Sequence, residues 1–166
     1  MVSKLRRWLR ELVTLLLLAA ALIAGMDYLR QPALPQNFTS TPLQTLDGKT
    51  VDLAAISQQR PLLLYVWATW CGVCRYTTPS VSALASRGEN VMSVALRSGD
   101  DAALARWLAQ KKLMLPTVND PQGQLSRQWD VQVTPTLIVI SGGEVKSVTT
   151  GWTSSWGMRL RLWLAS

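Results

Sequence analysis

A run of six apolar and aromatic residues, Leu62–Trp67, leads within seven residues to the only two cysteines of this 166-residue chain, Cys71 and Cys74. The run is short and ends in aromatic and β-branched residues, which is typical of a central strand buried on both faces. A helix is predicted to follow, from about Cys71 to Ser86. A buried strand that passes directly into a helix restricts the chain to an α/β architecture with both thiols at the end of that strand.

The patterns on either side of this strand predict a mixed sheet. A hairpin is expected over 38–56, because Asp47-Gly48 is a strong turn signal between two apolar segments. Later, strand and helix patterns alternate, which requires parallel crossovers, and a Gly142-Gly143 turn predicts a final antiparallel pair. We therefore expect a mixed central sheet flanked by helices, with strands at 91–96, 117–118, 136–140 and 145–149, helices at 100–112 and 125–129, and a last helix capped by Thr153 or Ser154, in which Trp156, Leu160, Trp163 and Leu164 share one face.

The amino-terminal segment combines positive charge with a long apolar stretch. Four of the first ten residues are basic, and residues 12–26 carry no charge. Extended to Leu29, the stretch corresponds to roughly 27 Å of helix, close to the ~30 Å core of a bilayer. A cleaved secretory signal and a buried core helix are the competing interpretations. The positive-inside rule favours a cytoplasmic basic segment at 1–11, a transmembrane signal anchor at 12–29, a linker at 30–37 and an exported domain at 38–166.

Composition excludes several functions. The chain contains no histidine, and a His-ligated metal site, a Cys–His protease and a Ser–His–Asp hydrolase all require an imidazole. The net charge of +7 is partly concentrated at the amino terminus, since Gln31 and the residues after it include 12 basic and 8 acidic side chains, a difference of +4. No basic stripe interleaved with aromatic residues occurs, so no nucleic-acid partner is expected.

The spacing of the two cysteines predicts redox chemistry. The start of a helix presents unpaired N–H groups and partial positive charge, which favour a thiolate at Cys71, and Arg75 adds a nearby cation. A three-residue separation places both sulfurs on one helix face, with Cys71 at the exposed tip and Cys74 one turn inward. Gly72 allows a partner backbone to approach closely, and Val73 adds no charge. The outer sulfur can therefore meet a partner, and the inner one can resolve the mixed disulfide.

Other uses of the two thiols remain open. One C-x-x-C pair supplies half a zinc site, and no further Cys or His completes it. A purely structural disulfide would close a very small loop and constrain the unfolded chain little. Two thiolates suit Cu(I), although the five methionines are scattered and offer no obvious third ligand. No resident metal and no cofactor other than a redox-active disulfide is predicted.

A second element, Thr134-Pro135, lies just before a predicted strand. Proline cannot donate to a sheet ladder, so it marks either the first position of a strand or a cis peptide bond. The residues around it do not distinguish the two.

Together these residues resemble a known family. The segment Val66–Cys74 is similar to the active-site segment of thioredoxins, Pro79 falls where their active-site helix is kinked, and Thr134-Pro135 matches their cis-proline loop. The hairpin around Leu46-Asp47-Gly48 resembles the TlpA/ResA-type, membrane-tethered bacterial branch. The resemblance covers nearly everything from Phe38 to the end, and it implies a thioredoxin fold with an N-terminal β-hairpin extension.

The resemblance also assigns roles. It implies that Cys71 is the nucleophile and Cys74 the resolving thiol, that Pro135 is cis, and that a substrate binds along Trp70, Gly72, Val73, Thr134 and Pro135. Two positions depart from the family, because Tyr65 and Thr77 stand where relatives carry acids credited with proton transfer at the inner thiol. Cys74 would then depend on water, Arg75 or backbone dipoles.

The expected function is thiol–disulfide exchange on exported thiol proteins, as a reductase linked to copper tolerance. The protein would lie in the bacterial inner membrane as a single-pass protein with its catalytic domain in the periplasm, beside a membrane-embedded thiol electron donor. Net disulfide oxidation, a copper-binding or copper-transfer module using the same thiols, and a non-catalytic adaptor are the alternatives.

Overall fold

The computed structural model describes residues 2–29 and 32–166, and the chain divides into two compact units between residues 31 and 32. The first unit is one helix, α1 (Val2–Leu29). The second begins at Pro32 and contains all other elements. The predicted linker at 30–37 begins outside the described residues, and its later part belongs to the second unit, since Leu34 packs against the core of that unit.

The prediction of a transmembrane anchor is wrong. Among the described residues, no helix has both the length and the apolar character needed to span a bilayer. The uncharged stretch of α1 runs from residue 12 to residue 26, and these 15 residues correspond to about 22 Å of helix, short of the ~30 Å bilayer core. The single-pass inner-membrane location with a periplasmic domain is overturned with it.

The second unit is built on a five-stranded mixed sheet in the order β5-β4-β3-β6-β7. The central strand β3 (Leu62–Trp67) is buried at all six positions, as its apolar run predicts. It pairs in parallel with β4 (Val91–Leu96) and antiparallel with β6 (Thr136–Ser141). The outer strands are β5 (Thr117–Asp120), parallel to β4, and β7 (Glu144–Thr150), antiparallel to β6.

Two hydrophobic clusters cover the two faces of the sheet. Because side chains alternate along a strand, Leu63, Tyr65 and Trp67 of β3 join one cluster, and Leu62, Leu64 and Val66 join the other. Helices α3 (Cys74–Ser86), α4 (Asp101–Gln110) and α6 (Ser155–Leu164) contribute to the first cluster, whereas Phe38 and Trp129 pack edge to face in the second. The predicted mixed sheet flanked by helices is therefore confirmed.

The amino-terminal hairpin is shorter than expected. Strands β1 (Leu43–Gln44) and β2 (Thr50–Val51) pair antiparallel around the predicted turn, and Gly48 has the positive φ of 80° that such a turn requires. The last four residues of the predicted hairpin form the short helix α2 (Leu53–Ile56), which Asp52 caps. A second short helix, α5 (Gln124–Gln128), follows β5.

The last helix, α6, does not bury the apolar face that its sequence period predicts. Ser154 caps it, as predicted, by accepting a hydrogen bond from the Gly157 N–H. The larger apolar stripe is exposed, and the helix packs through Met158 and Leu162. A helix with apolar residues on two faces does not reveal from its period which face the sheet will cover. The exposed residues are Trp156, Leu160, Trp163 and Leu164.

Candidate active site

The two cysteines lie where β3 ends and α3 begins. They form a disulfide with a Cα–Cα separation of 5.2 Å. The sequence predicts that helix α3 begins at Cys71, but it begins at Cys74. Cys71 ends the preceding turn, where its N–H donates to the Ala68 carbonyl at 3.2 Å. The first sulfur is therefore held by a turn just outside the helix, and only the second belongs to the helix.

The sulfurs differ in their access to solvent. Cys71 is 9% exposed and Cys74 1% exposed, so a partner reaches Cys71 first. The Cys74 N–H donates to Cys71 Sγ at 3.1 Å. Once the pair is reduced, this N–H and the unpaired N–H groups of the α3 start favour negative charge on Cys71. The geometry makes Cys71 the more nucleophilic and the more accessible of the two thiols.

The loop before β6 reaches the same sulfur. The Thr134–Pro135 peptide bond is cis, which selects one of the two readings left open by the sequence. The Thr134 carbonyl oxygen lies 3.5 Å from Cys71 Sγ, so a Cys71 thiol can donate to it. Thr134 is half-buried, Pro135 is buried, and the ladder between β3 and β6 ends with the Val66–Thr136 pair. The Thr134 backbone therefore lies beside Cys71 and beyond the end of the sheet ladder.

The other residues predicted to bind substrate surround the disulfide on its exposed side. Trp70 is 61% exposed, and its Nε1–H donates to the Arg97 carbonyl at 3.0 Å. A Cβ added to Gly72 would meet nothing within 4 Å, so this position is open to an approaching backbone. Val73 is exposed. The structure thus brings all seven predicted site residues together around Cys71.

A cleft of about 410 Å³ runs beside the sulfurs. Both cysteines line it, and its two charged lining residues, Arg75 and Lys111, are cations. The sequence does not predict Trp107 and Lys111 as site residues. Trp107 belongs to α4 and Lys111 caps its C-terminus, and only the tertiary fold brings this helix to the cleft. These two cations offset only part of the cost of a thiolate at the largely buried sulfurs, and the cleft gives a released proton a path to solvent.

Tyr65 and Thr78 form a buried hydrogen-bonded pair behind Cys74. The Thr78 hydroxyl donates to the Cys74 carbonyl at 2.7 Å, and the Tyr65 hydroxyl lies 2.8 Å from Thr78 Oγ1. Because the Thr78 hydroxyl has one proton, the Tyr65 O–H is the donor between the two. Burial raises the pKa of Tyr65 above its ordinary value of 10.0, so the phenol stays neutral near pH 7. Tyr65 therefore positions the helix start through Thr78 and does not replace the missing acid as a base.

This role predicts a distinctive result for Tyr65→Phe. We expect the variant to lose about 1–2 kcal/mol of unfolding free energy at pH 7, because the Thr78 hydroxyl loses its donor, and to exchange disulfides within about twofold of the parent. The folded-state pKa is raised, so the contribution of Tyr65 is complete below pH 10 and is lost as pH rises above it. Between pH 7 and pH 11 the unfolding free energy of the parent should therefore fall by about 1.4 kcal/mol more than that of the variant. Urea unfolding of both proteins at pH 7 to 11 measures this, and parallel curves would contradict it.

Comparison with known proteins agrees with this geometry. Residues 34–148 match the model of the AhpC/TSA family. A thioredoxin-like protein of Haemophilus influenzae is 41% identical over 162 residues, which is 98% of this chain and 97% of that protein. The thiol:disulfide interchange protein DsbE of Pseudomonas fluorescens biotype C is 34% identical over 113 residues, 64% of this chain and 62% of that protein.

Solved structures show the same fold at low sequence identity. The exposed lipoprotein thioredoxin Etrx1 of Streptococcus pneumoniae is similar with a TM-score of 0.65 and 22% identity, over 75% of this chain and 98% of that one. A secreted disulfide oxidoreductase of Mycobacterium tuberculosis is similar with a TM-score of 0.64 and 21% identity, over 78% and 99%. The sheet order, the disulfide at the start of α3 and these matches lead to one conclusion: the chain belongs to the AhpC/TSA family and is a thioredoxin-like thiol–disulfide oxidoreductase.

Proposed function

We propose that the chain reduces disulfides of other proteins through Cys71 and Cys74. The observation that carries the proposal is the asymmetry of the pair: Cys71 is the more exposed sulfur, receives the Cys74 N–H and lies against the Thr134 carbonyl, whereas Cys74 is covered. A nucleophile must be reachable, and a resolving thiol must be close to it and shielded from other reactants. The two environments match these two roles.

The proposed reaction moves two electrons from the enzyme to the substrate. The Cys71 thiolate attacks one sulfur of a substrate disulfide, that bond breaks, and the other substrate sulfur leaves as a thiolate that takes a proton from water. Cys74 then loses its proton to water in the cleft and attacks Cys71 Sγ, which releases the second substrate thiol. The enzyme ends as the Cys71–Cys74 disulfide, and a dithiol donor must reduce it before the next cycle.

The reductive direction is supported by the weak stabilisation of the reduced pair. A pair becomes a strong oxidant when its reduced form is stabilised. Here Gly72 and Val73 place no charge between the cysteines, and both sulfurs are largely removed from water, which raises the cost of a thiolate. Among the described residues, a single backbone N–H, that of Cys74, donates to Cys71 Sγ. The balance favours electron donation.

The partners and the finer assignment are also part of this proposal. Short length, the predicted anchor and the motif together resemble the suppressor for copper-sensitivity D protein, and of these the length and the motif remain. On these two we propose a link to copper tolerance, in which disulfides formed under copper stress are the substrates. A thiol donor supplies the electrons. That the substrates are exported was inferred from the predicted anchor, and that basis falls with it.

Equilibration in glutathione buffers tests the direction. The fraction of reduced pair is measured by alkylation across a series of buffer ratios, and insulin reduction is followed in parallel. We expect a potential more negative than roughly −220 mV together with turnover of insulin. A potential near about −120 mV, the value of a strong oxidant, would contradict the reductive direction. Tight stoichiometric Cu(I) binding with little insulin reduction would favour a copper module instead.

A further inference from the structure

A tryptophan that the site residues do not include lies next to the loop at Cys71. Trp152 is 65% exposed and directly follows Gly151, whose N–H donates to the Pro135 carbonyl at 2.8 Å. Pro135 follows Thr134, whose own carbonyl lies 3.5 Å from Cys71 Sγ. The Cα of Trp152 is one 3.8 Å step beyond Gly151. Two short contacts therefore connect the accessible sulfur to the segment that carries this exposed indole.

The backbone fixes where Trp152 leaves the sheet. The ladder between β6 and β7 ends with the Thr136–Thr150 pair, and Gly151 then adopts a φ of 81°. Side chains with a Cβ rarely adopt this conformation, so Gly151 turns the chain immediately after the strand. Thr153, one residue beyond Trp152, is buried again. Trp152 is thus held between the half-buried Gly151, which is bonded to Pro135, and the buried Thr153.

Exposure of this side chain sets it apart from the tryptophans that build the core. Trp67 and Trp129 are fully buried, whereas Trp152 keeps most of its large apolar surface in water. Exposed tryptophans at a recognition site contribute disproportionately to binding, because they cover a large area with few rotatable bonds. Trp70 is the corresponding exposed indole beside Cys71, and its bond to the Arg97 carbonyl holds it in place.

We infer that Trp152 is a substrate-binding residue that, together with Trp70, selects disulfides flanked by apolar or aromatic side chains. Trp70 directly precedes Cys71, and Trp152 directly follows the residue whose N–H is bonded to the Pro135 carbonyl. The occupant is therefore an extended segment of the substrate protein that contacts both indoles. An apolar side chain next to the reacting half-cystine gains contact area from an indole, whereas a serine or glycine does not. The inference rests on the proposed function, since it concerns the substrate of the same site.

The test compares reduced Trp152→Ala with the parent on three disulfides: a peptide disulfide flanked by phenylalanine, the same peptide flanked by serine, and 2-hydroxyethyl disulfide. We expect the apparent second-order rate constant for the phenylalanine peptide to fall about tenfold. The rates for the serine peptide and for 2-hydroxyethyl disulfide should stay within twofold, and Trp152→Phe should restore most of the loss. Because the same two thiols react in all cases, the reduction potential should not change.

Trp163→Ala is the matched control. Trp163 is 70% exposed and lines a groove with Arg60 and Asn90. Arg60 lies two residues before β3 and Asn90 one residue before β4, so this groove is at the start of these strands, whereas Cys71 follows the end of β3. It should leave all three rates unchanged. Equal rates for Trp152→Ala and the parent, an equal fall on all three disulfides, or an equal fall in Trp163→Ala would overturn the inference. If the parent itself exchanges with none of the disulfides, the proposed function fails instead.

Discussion

Replacing Cys71 with serine is expected to abolish disulfide reduction, with a fall in kcat/KM of at least about a thousandfold, or ~4 kcal/mol of transition-state stabilisation. The attacking group is a thiolate, and a serine hydroxyl is neither ionised near pH 7 nor comparably nucleophilic. Cys74 does not substitute for it, because it is 1% exposed and lies behind Cys71. Insulin reduction and single-turnover exchange with 2-hydroxyethyl disulfide provide the measurements.

Cys74→Ser is the matched variant, and it should separate the two steps. The first attack needs only Cys71, so one equivalent of substrate should react, after which the mixed disulfide accumulates because no thiol resolves it. Mass spectrometry of the trapped species should place the substrate on Cys71. If Cys71→Ser traps substrate as readily as Cys74→Ser does, the roles of the two cysteines are assigned wrongly.

Removing the indole of Trp67 should have the largest effect on stability. Its side chain is fully buried on the central strand, 5.3 Å from the Trp107 ring and 6.3 Å from the Tyr65 ring, between centroids. Truncation of a buried tryptophan to alanine costs about 3–5 kcal/mol, which is a large part of the 5–15 kcal/mol typical of a domain. We expect Trp67→Ala to lower the unfolding midpoint by roughly 10 °C or more, as measured by circular dichroism of the whole chain.

Trp67→Phe provides the control. It keeps an aromatic ring at the same position, and it removes Nε1–H, a buried donor without a hydrogen-bond partner in the described part of the chain. Leaving such a donor unpaired costs about 1–3 kcal/mol, so its removal offsets part of the lost volume. The net change should stay within about 1 kcal/mol. A phenylalanine variant as unstable as the alanine variant would contradict this prediction, because it would mean that the indole N–H stabilises the fold.

Local patterns were sufficient for most strands and helices of the second unit and for the position of its two thiols. The apolar run of β3, the Asp47-Gly48 turn and the capping of α6 by Ser154 are properties of consecutive residues, and the structure has each of them. The same holds for the pair at Cys71 and Cys74, whose three-residue separation keeps their Cα atoms close, at 5.2 Å. Such features depend on backbone geometry over a few residues, which composition and period report directly.

Local patterns gave wrong predictions where a segment could bury its apolar residues, or pair its backbone, in more than one way. The stretch at 12–26 has the composition of an anchor but too few residues, and helix α6 has two apolar faces of which the sheet covers the smaller. The start of α3 moved from Cys71 to Cys74, because the Cys71 N–H pairs with Ala68 and not within the helix. In each case neighbouring residues permit several arrangements.

By itself, the sequence determined that a pair of thiols follows a buried strand, because adjacency along the chain is preserved in any fold. Only the tertiary structure decided what surrounds them. The Thr134 carbonyl meets Cys71 across 63 residues, the Tyr65 hydroxyl reaches Thr78 behind Cys74, and Trp152 stands beside the cis-proline loop through the bond between Gly151 and Pro135. These contacts depend on the order of strands in the sheet, which long-range packing sets and no local pattern encodes.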